Sequence, residues 1–222
     1  MVSRIRLTTL ALAVVVAALG SVRVDAQNPA RHGRLFDPTD LGLLEAPDRD
    51  LWQMPGQIMD ALGVAEGSVV ADLGAGGGWF TIRLARRVGP NGKVYAEDIQ
   101  RLTLEANKRR LTREGSRNVD TVLGTETDPR LPINAIDAVL MVDTYHEIAA
   151  PVLLLRNVTK SLKPGGRIGV VGFKNDGLGP GPPMEERVDP EQIVHDAEQA
   201  GLKLARRETF LPYQYFLIFV RR

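Results

Sequence analysis

The chain contains no cysteine. That single absence removes disulfide staples, thiolate zinc sites, redox dithiols and cysteine nucleophiles. Neither sign of charge dominates, with 28 Lys and Arg against 27 Asp and Glu. The first 26 residues hold Arg4, Arg6 and Arg23 against Asp25, which leaves 25 basic and 26 acidic groups in the remaining 196. So neutral a body lacks the basic excess of a bare polyanion binder, and nucleic acid is not an expected partner. No internal repeat is present, and 22 Gly with 14 Pro is far from a collagen composition. About 196 residues can bury roughly 70% of their unfolded surface in one core.

A long apolar run is also missing. The longest, LTTLALAVVVAALG, covers 14 residues at 7–20, short of the ~20 needed to span a bilayer. Arg4 and Arg6 precede it and Val24-Asp25-Ala26 follows it. This is the layout of a secretory signal peptide over residues 1–26 with cleavage after Ala26. The expectation is an exported protein, periplasmic or secreted, with an uncleaved anchor as the alternative and no stable membrane insertion after cleavage. Residues 27–48 hold three prolines and scattered charge and read as an irregular lead-in. Residues 49–222 read as one domain.

Within that domain short apolar runs alternate with amphipathic stretches, the mark of strands joined by helical crossovers and hence of a doubly wound, mostly parallel α/β sheet. Strands are predicted at 68–73, 92–98, 119–123, 136–142 and 167–173. Helical faces are predicted around Ile58, Met59 and Leu62, around Phe80, Leu84 and Val88, and over 152–162, with Pro164-Gly165-Gly166 ending the last. A further helix is predicted from Asp189-Pro190 to about residue 200, then strands at 202–210 and 213–220. Only Leu211-Pro212 separates those two strands, so they must pair antiparallel.

VVADLGAGGGWF at 69–80 runs a buried strand into Gly74, Gly76, Gly77 and Gly78 and then into a helix. Such glycines let a ligand approach the backbone. A dinucleotide fingerprint counted from Gly74 and Gly76 requires a third glycine where Trp79 stands, and no Gly-Lys-Ser/Thr follows for a P-loop. Asp72 lies two positions before the first glycine, and Glu97 and Asp98 close the second strand, where an acidic group suits ribose hydroxyls. Carboxylates crowded on a glycine loop repel phosphate and attract an ammonium or sulfonium. That chemistry points to S-adenosylmethionine.

At these residues the chain resembles the class I, Rossmann-like S-adenosylmethionine-dependent methyltransferases. The resemblance rests on four segments in order: ADLGAGGG at 71–78, KVYAEDI at 93–99, AIDAVLMVD at 135–143 and LKPGGRIGVV at 162–171. It implies a seven-stranded sheet with an antiparallel last strand and a cofactor site in which Asp72, Gly74, Gly76 and Gly78 surround the methionine part. Asp98, or Glu97 beside it, would hold the ribose. Adenine contacts would come from Glu126 or Asp128, or from backbone, because Thr125 follows Gly124. Asp143 closes the fourth strand and is grouped with the cofactor contacts.

Ligands in such sheets bind beyond the carboxyl ends of the strands, so the loops after the fourth and fifth strands should frame the methyl acceptor. The first is Asp143-Thr144-Tyr145-His146-Glu147. Imidazoles titrate close to neutrality, which makes His146 the candidate base; Tyr145 is the candidate for orienting the acceptor. Either can instead serve the fold, with His146 capping a helix and Tyr145 packing on the sheet. No metal is expected: Ala150 stands where a metalloprotease helix needs its second histidine, and His32 and His195 are isolated. Arg49, Asp50, Trp52 and Gln53 form an aromatic and charged cluster that can fold over a cofactor. The leading expectation is a methyltransferase acting on a small-molecule or protein nucleophile. The alternatives are a non-catalytic binding module of the same fold and a nicotinamide-dependent oxidoreductase.

Overall fold

The computed structural model describes residues 35–222. The expected signal peptide therefore lies outside the described residues. Seven strands make one sheet in the order β3-β2-β1-β4-β5-β7-β6. They are β1 (Val69–Leu73), β2 (Lys93–Asp98), β3 (Val119–Leu123), β4 (Ile136–Val142), β5 (Leu162–Phe173), β6 (Leu202–Glu208) and β7 (Gln214–Arg221). The pairs β1–β2, β1–β4, β2–β3 and β4–β5 are parallel, while β7 runs antiparallel to both β5 and β6. The expected mostly parallel, seven-stranded sheet with a reversed last strand is what forms. The short loop before β7 cannot carry a crossover, and this fixes the reversal.

Helices α1 (Arg49–Gln53), α2 (Pro55–Leu62), α3 (Trp79–Val88), α4 (Arg101–Arg113), α5 (Pro151–Ser161) and α6 (Pro190–Gln199) complete the layers. Strand side chains alternate between two cores, as the two-residue period requires. Ala71, Val139, Met141, Leu217 and Phe219 pack with Leu154, Leu155 and Val158 of α5 and Ile193 of α6. Val70, Ala138, Leu140, Phe216 and Ile218 pack with Ile58 and Leu62 of α2 and Phe80, Leu84 and Val88 of α3.

Two segments differ from the expectation. Pro164-Gly165-Gly166 does not follow a helix end at residue 162. Helix α5 stops at Ser161 and β5 starts at once, with Leu162 opposite Ile136 and the register slipping between Ile136 and Ala138. The Pro-Gly-Gly turn is absorbed into the strand as an irregularity, a common use of glycine in sheets. The described part of the lead-in is also ordered. Pro38–Leu44 is a 3-10 helix, capped by Asp37 Oδ1, which accepts the Thr39 amide at 2.9 Å and the Thr39 hydroxyl at 2.8 Å. Pro38 at its first position suits that start.

Candidate active site

The order of strands reverses direction between β1 and β4, and a crevice opens beyond the carboxyl ends of the strands there, as open α/β sheets dictate. It is a cavity of about 500 Å³, in the usual range for small-molecule sites. Eight carboxylates line it: Glu45, Asp72, Glu97, Asp98, Glu126, Asp143, Glu147 and Glu186. Asp72 and Asp98, which start from different strands, share one cleft.

The glycine loop makes the floor. Gly74 and Gly76 have φ of 72° and 53°, a region that side chains disfavour. A Cβ on Gly74 would also lie within 2.9 Å of three side-chain atoms of Thr144. Bare backbone is thus what allows the loop after β4 to sit against the loop after β1. Gly78, with φ 85°, caps α3 and faces Asn107 instead of the cavity.

The acidic groups are held in distinct ways. Asp72 is buried and accepts a 2.6 Å bond from the Thr81 hydroxyl; burial raises its pKa to about 6. Asp98 accepts the amides of Gly76 at 3.1 Å and Gln100 at 2.8 Å, and burial raises its pKa against those bonds. Glu97 is 2% exposed, and burial, reinforced by Asp98, raises its pKa to about 8. Its carboxylate presses on Gly124, where a Cβ would stand 1.8 Å from Oε1. Any larger residue at 124 would displace Glu97.

Across the cleft, Asp143 ends β4 with a positive φ of 55°, an uncommon conformation that aspartate tolerates better than most residues. Burial raises its pKa and His146 opposes the rise. The His146 ring lies between two carboxylates, with Nδ1 3.9 Å from Asp143 Oδ1 and Nε2 3.8 Å from Glu147 Oε1. Burial lifts Glu147 to about 7. Glu126 reaches the cavity rim, whereas Asp128 is turned to its own loop, accepting the Arg130 amide at 2.8 Å. Tyr145 departs from the role of orienting an acceptor. It is 5% exposed, lies outside the cavity lining, and its hydroxyl donates to Asp196 Oδ2 at 2.9 Å in the core against α6. In the 3-10 turn Tyr145–Glu147 successive side chains are rotated by about 120°, and His146 lines the cavity while Tyr145 packs in the core.

The far wall joins the stretch read as an irregular lead-in to the cluster around Trp52 and the loop after the fifth strand. Leu35, Phe36, Leu41, Leu43, Leu44 and Ala46 line the cavity with Trp52, Phe173 and residues 180–183. A Cβ on Gly77 would touch Leu41 at 3.6 Å and Glu45 Oε1 at 3.5 Å. Arg110 of α4 anchors that stretch, with Nη1 and Nη2 each 2.5 Å from a Glu45 oxygen. The signal available in the sequence was the trio Leu41, Leu43 and Leu44 behind an Asp-Pro helix start.

Among the described residues no group of three or more His, Asp or Glu is placed to hold a metal ion. No described helix is long and apolar enough to cross a membrane.

Residues 70–166 match the family model described as a methyltransferase domain. A SAM dependent methyltransferase from Aquifex aeolicus superposes with a TM-score of 0.79 at 28% identity, covering 83% of this chain and 98% of that one. The ubiquinone/menaquinone biosynthesis C-methyltransferase UbiE of Pasteurella multocida is 33% identical over 123 residues, 55% of this chain and 46% of that protein. The demethylmenaquinone methyltransferase of Lactococcus lactis is 28% identical over 126 residues, 57% and 49% of the two chains. The chain spans about half the length of the curated relatives it matches. The matched segment is thus a methyltransferase domain, and the strand order and the order of the motifs are those of the class I, Rossmann-like S-adenosylmethionine-dependent methyltransferase fold.

Proposed function

We propose that the protein transfers the methyl group of S-adenosylmethionine to a small, neutral, largely apolar nucleophile and releases S-adenosylhomocysteine. The observation that carries this reading is the convergence of Asp72, Glu97, Asp98 and Asp143 on one glycine-floored cavity. An anionic, partly dry pocket attracts a sulfonium and repels the pyrophosphate of a nicotinamide cofactor. When bound, the cofactor supplies an electrophilic methyl on charged sulfur. The remaining work is alignment and water exclusion, worth up to about 7 to 11 kcal/mol at ideal geometry.

In this reading Asp98 at the end of β2, with Glu97 beside it, holds the ribose, and Glu126, which also lines the cavity, contacts the base. His146 faces the opposite part of the cavity. Asp143 and Glu147 flank its ring at 3.9 and 3.8 Å, beyond hydrogen-bonding distance, so a nitrogen of the neutral ring is free to draw a proton from the acceptor as the methyl arrives. The acceptor chamber is walled by leucines, Phe36, Trp52, Phe173 and prolines, which favours an apolar molecule over a peptide. The carboxylates disfavour an anionic one. Relatives named for quinone biosynthesis support this class and make phenols and quinols the first acceptors to try.

Calorimetric titration of the protein with S-adenosylmethionine and, separately, with NAD tests the cofactor; binding of NAD alone would overturn the reading. S-adenosylhomocysteine release across a panel of neutral phenols and quinols tests turnover, and binding without any turnover would favour the non-catalytic module. We also propose that residues 1–26 direct export. A mature chain recovered outside the cytoplasm with Gln27 at its N-terminus is the expected result, and a cytoplasmic chain starting at Met1 would refute it.

A further inference from the structure

The cavity wall holds a single Lys or Arg among the described residues, Arg49. Its neighbours are neutralised in pairs: Arg83 with Asp50 at 2.8 Å, Arg110 with Glu45 at 2.5 Å, and Arg87 with Asp60. Arg49 is not. It has no ion pair within 4.0 Å among the described residues, although Asp143 and Asp72 act on it through space. Burial consequently brings its pKa down to about 10. A half-buried cation without a contacting counter-ion is expensive unless a ligand completes it.

The guanidinium is nonetheless held firmly. Nε donates to Gln53 Oε1 at 2.9 Å and Nη1 to the Leu44 carbonyl at 2.6 Å. Its plane lies 4.1 Å from the ring centre of Trp79, the residue that follows the glycine loop, and Arg83 covers the same ring at 3.5 Å. Gln53 is itself fixed to Gln214 of β7 at 2.5 Å. Nη2 has no hydrogen-bond acceptor among the described residues. The sequence thus spends α1 on positioning one cationic fork beside the ends of β1 and β4.

The cofactor assigned under the proposed function carries three charges on its amino-acid tail. The sulfonium and the ammonium suit a wall of carboxylates; the α-carboxylate does not, and Arg49 is the one Lys or Arg of that wall among the described residues. We infer that Arg49 receives the α-carboxylate of S-adenosylmethionine through its free guanidinium edge, so that the segment preceding the first strand supplies a cofactor contact that the glycine motif lacks. This rests on the cofactor reading above. Because Leu44 and Gln53 hold the same guanidinium, filling the cofactor site also fixes the wall of the acceptor chamber.

The test compares S-adenosylmethionine with its decarboxylated analogue, which keeps both positive charges and loses only the carboxylate. In calorimetric titrations, Arg49→Met should weaken S-adenosylmethionine roughly 10- to 100-fold, the range of a charge-assisted bond, and leave the analogue's affinity unchanged. Arg49→Lys should recover part of the loss, since it keeps the charge without the fork. Equal weakening of both ligands would reduce Arg49 to a structural prop of α1, and unchanged binding of S-adenosylmethionine would remove it from the site; either overturns the inference. If the wild-type protein binds neither ligand, the cofactor reading itself fails, and that outcome is distinct from the other two.

Discussion

The two halves of the cavity are built on different principles. On the side of β1 and β2, most lining groups come from strand ends and the loops after them within residues 72–103, joined by Thr125 and Glu126 after β3; Asp72 and Asp98 are held by one hydroxyl and by backbone amides. On the side of β4 and β5, the wall is assembled from residues 35–53, 142–154 and 173–186, which meet only in the folded chain. Apart from Arg49, which serves the cofactor from the composite wall, the first half can be kept while the other is rebuilt for a new acceptor. Fold-sharing enzymes with different acceptors are the expected result.

Substitutions in the two halves should therefore move different quantities. The largest effect belongs to the acceptor side: His146→Ala should lower turnover by about 10²- to 10⁴-fold with cofactor affinity unchanged in titration. Equal turnover would return His146 to a purely structural role. On the cofactor side, Asp98→Ala should cost roughly 1.5 to 3 kcal/mol of cofactor binding. An unchanged affinity would move the ribose contact to Glu97. Were both variants to shift the same parameter, the division would collapse.

The buried acids sharpen the contrast through pH. Asp72 and Glu97 are raised to about 6 and about 8 by burial, and a cationic ligand favours their ionised forms. Cofactor affinity should thus rise with pH across that interval, with protons released on binding and seen as a dependence of the calorimetric heat on buffer. The ligand-free protein should show the opposite trend. Between the ordinary 4.5 of Glu97 and about 8, the folded state binds more protons than the unfolded state, so stability falls as pH rises. Thermal melts of Glu97→Gln should be flatter over this window; an identical slope would place the effect elsewhere.

Smaller effects are expected outside the cavity. Tyr145→Phe should lose about 1 to 2 kcal/mol of stability with its bond to Asp196 while turnover stays intact. A fall in turnover without destabilisation would restore its place beside the acceptor. Asp50→Asn breaks an exposed pair with Arg83, for which less than about 1 kcal/mol is expected in a denaturant melt.

The same division explains what could be read in advance. Strand positions and the reversed β7 followed from two-residue alternation and the length of one loop. Asp72, Glu97 and Asp98 were legible because their separation from Gly74 is set by one strand, one turn and one helix. Tyr145 was not, since whether it or His146 faces the ligand is decided by a three-residue 3-10 turn with no periodic signature. Nor was the contribution of residues 35–46, whose contact with Gly77 depends on Arg110, 65 positions beyond Glu45. Asp128 sits two residues from Glu126, and only the local turn separates the one at the rim from the one that caps its own loop.

The chain has two tryptophans, and both line the cavity. Trp79 carries the guanidinium groups of Arg49 and Arg83 over its ring, and Trp52 rests against Phe173 and Tyr213. Indole emission from this protein therefore originates at the cavity wall. Occupancy can be followed without a label, and replacing either indole with phenylalanine would separate the optical signal of the nucleoside from that of the molecule it alkylates.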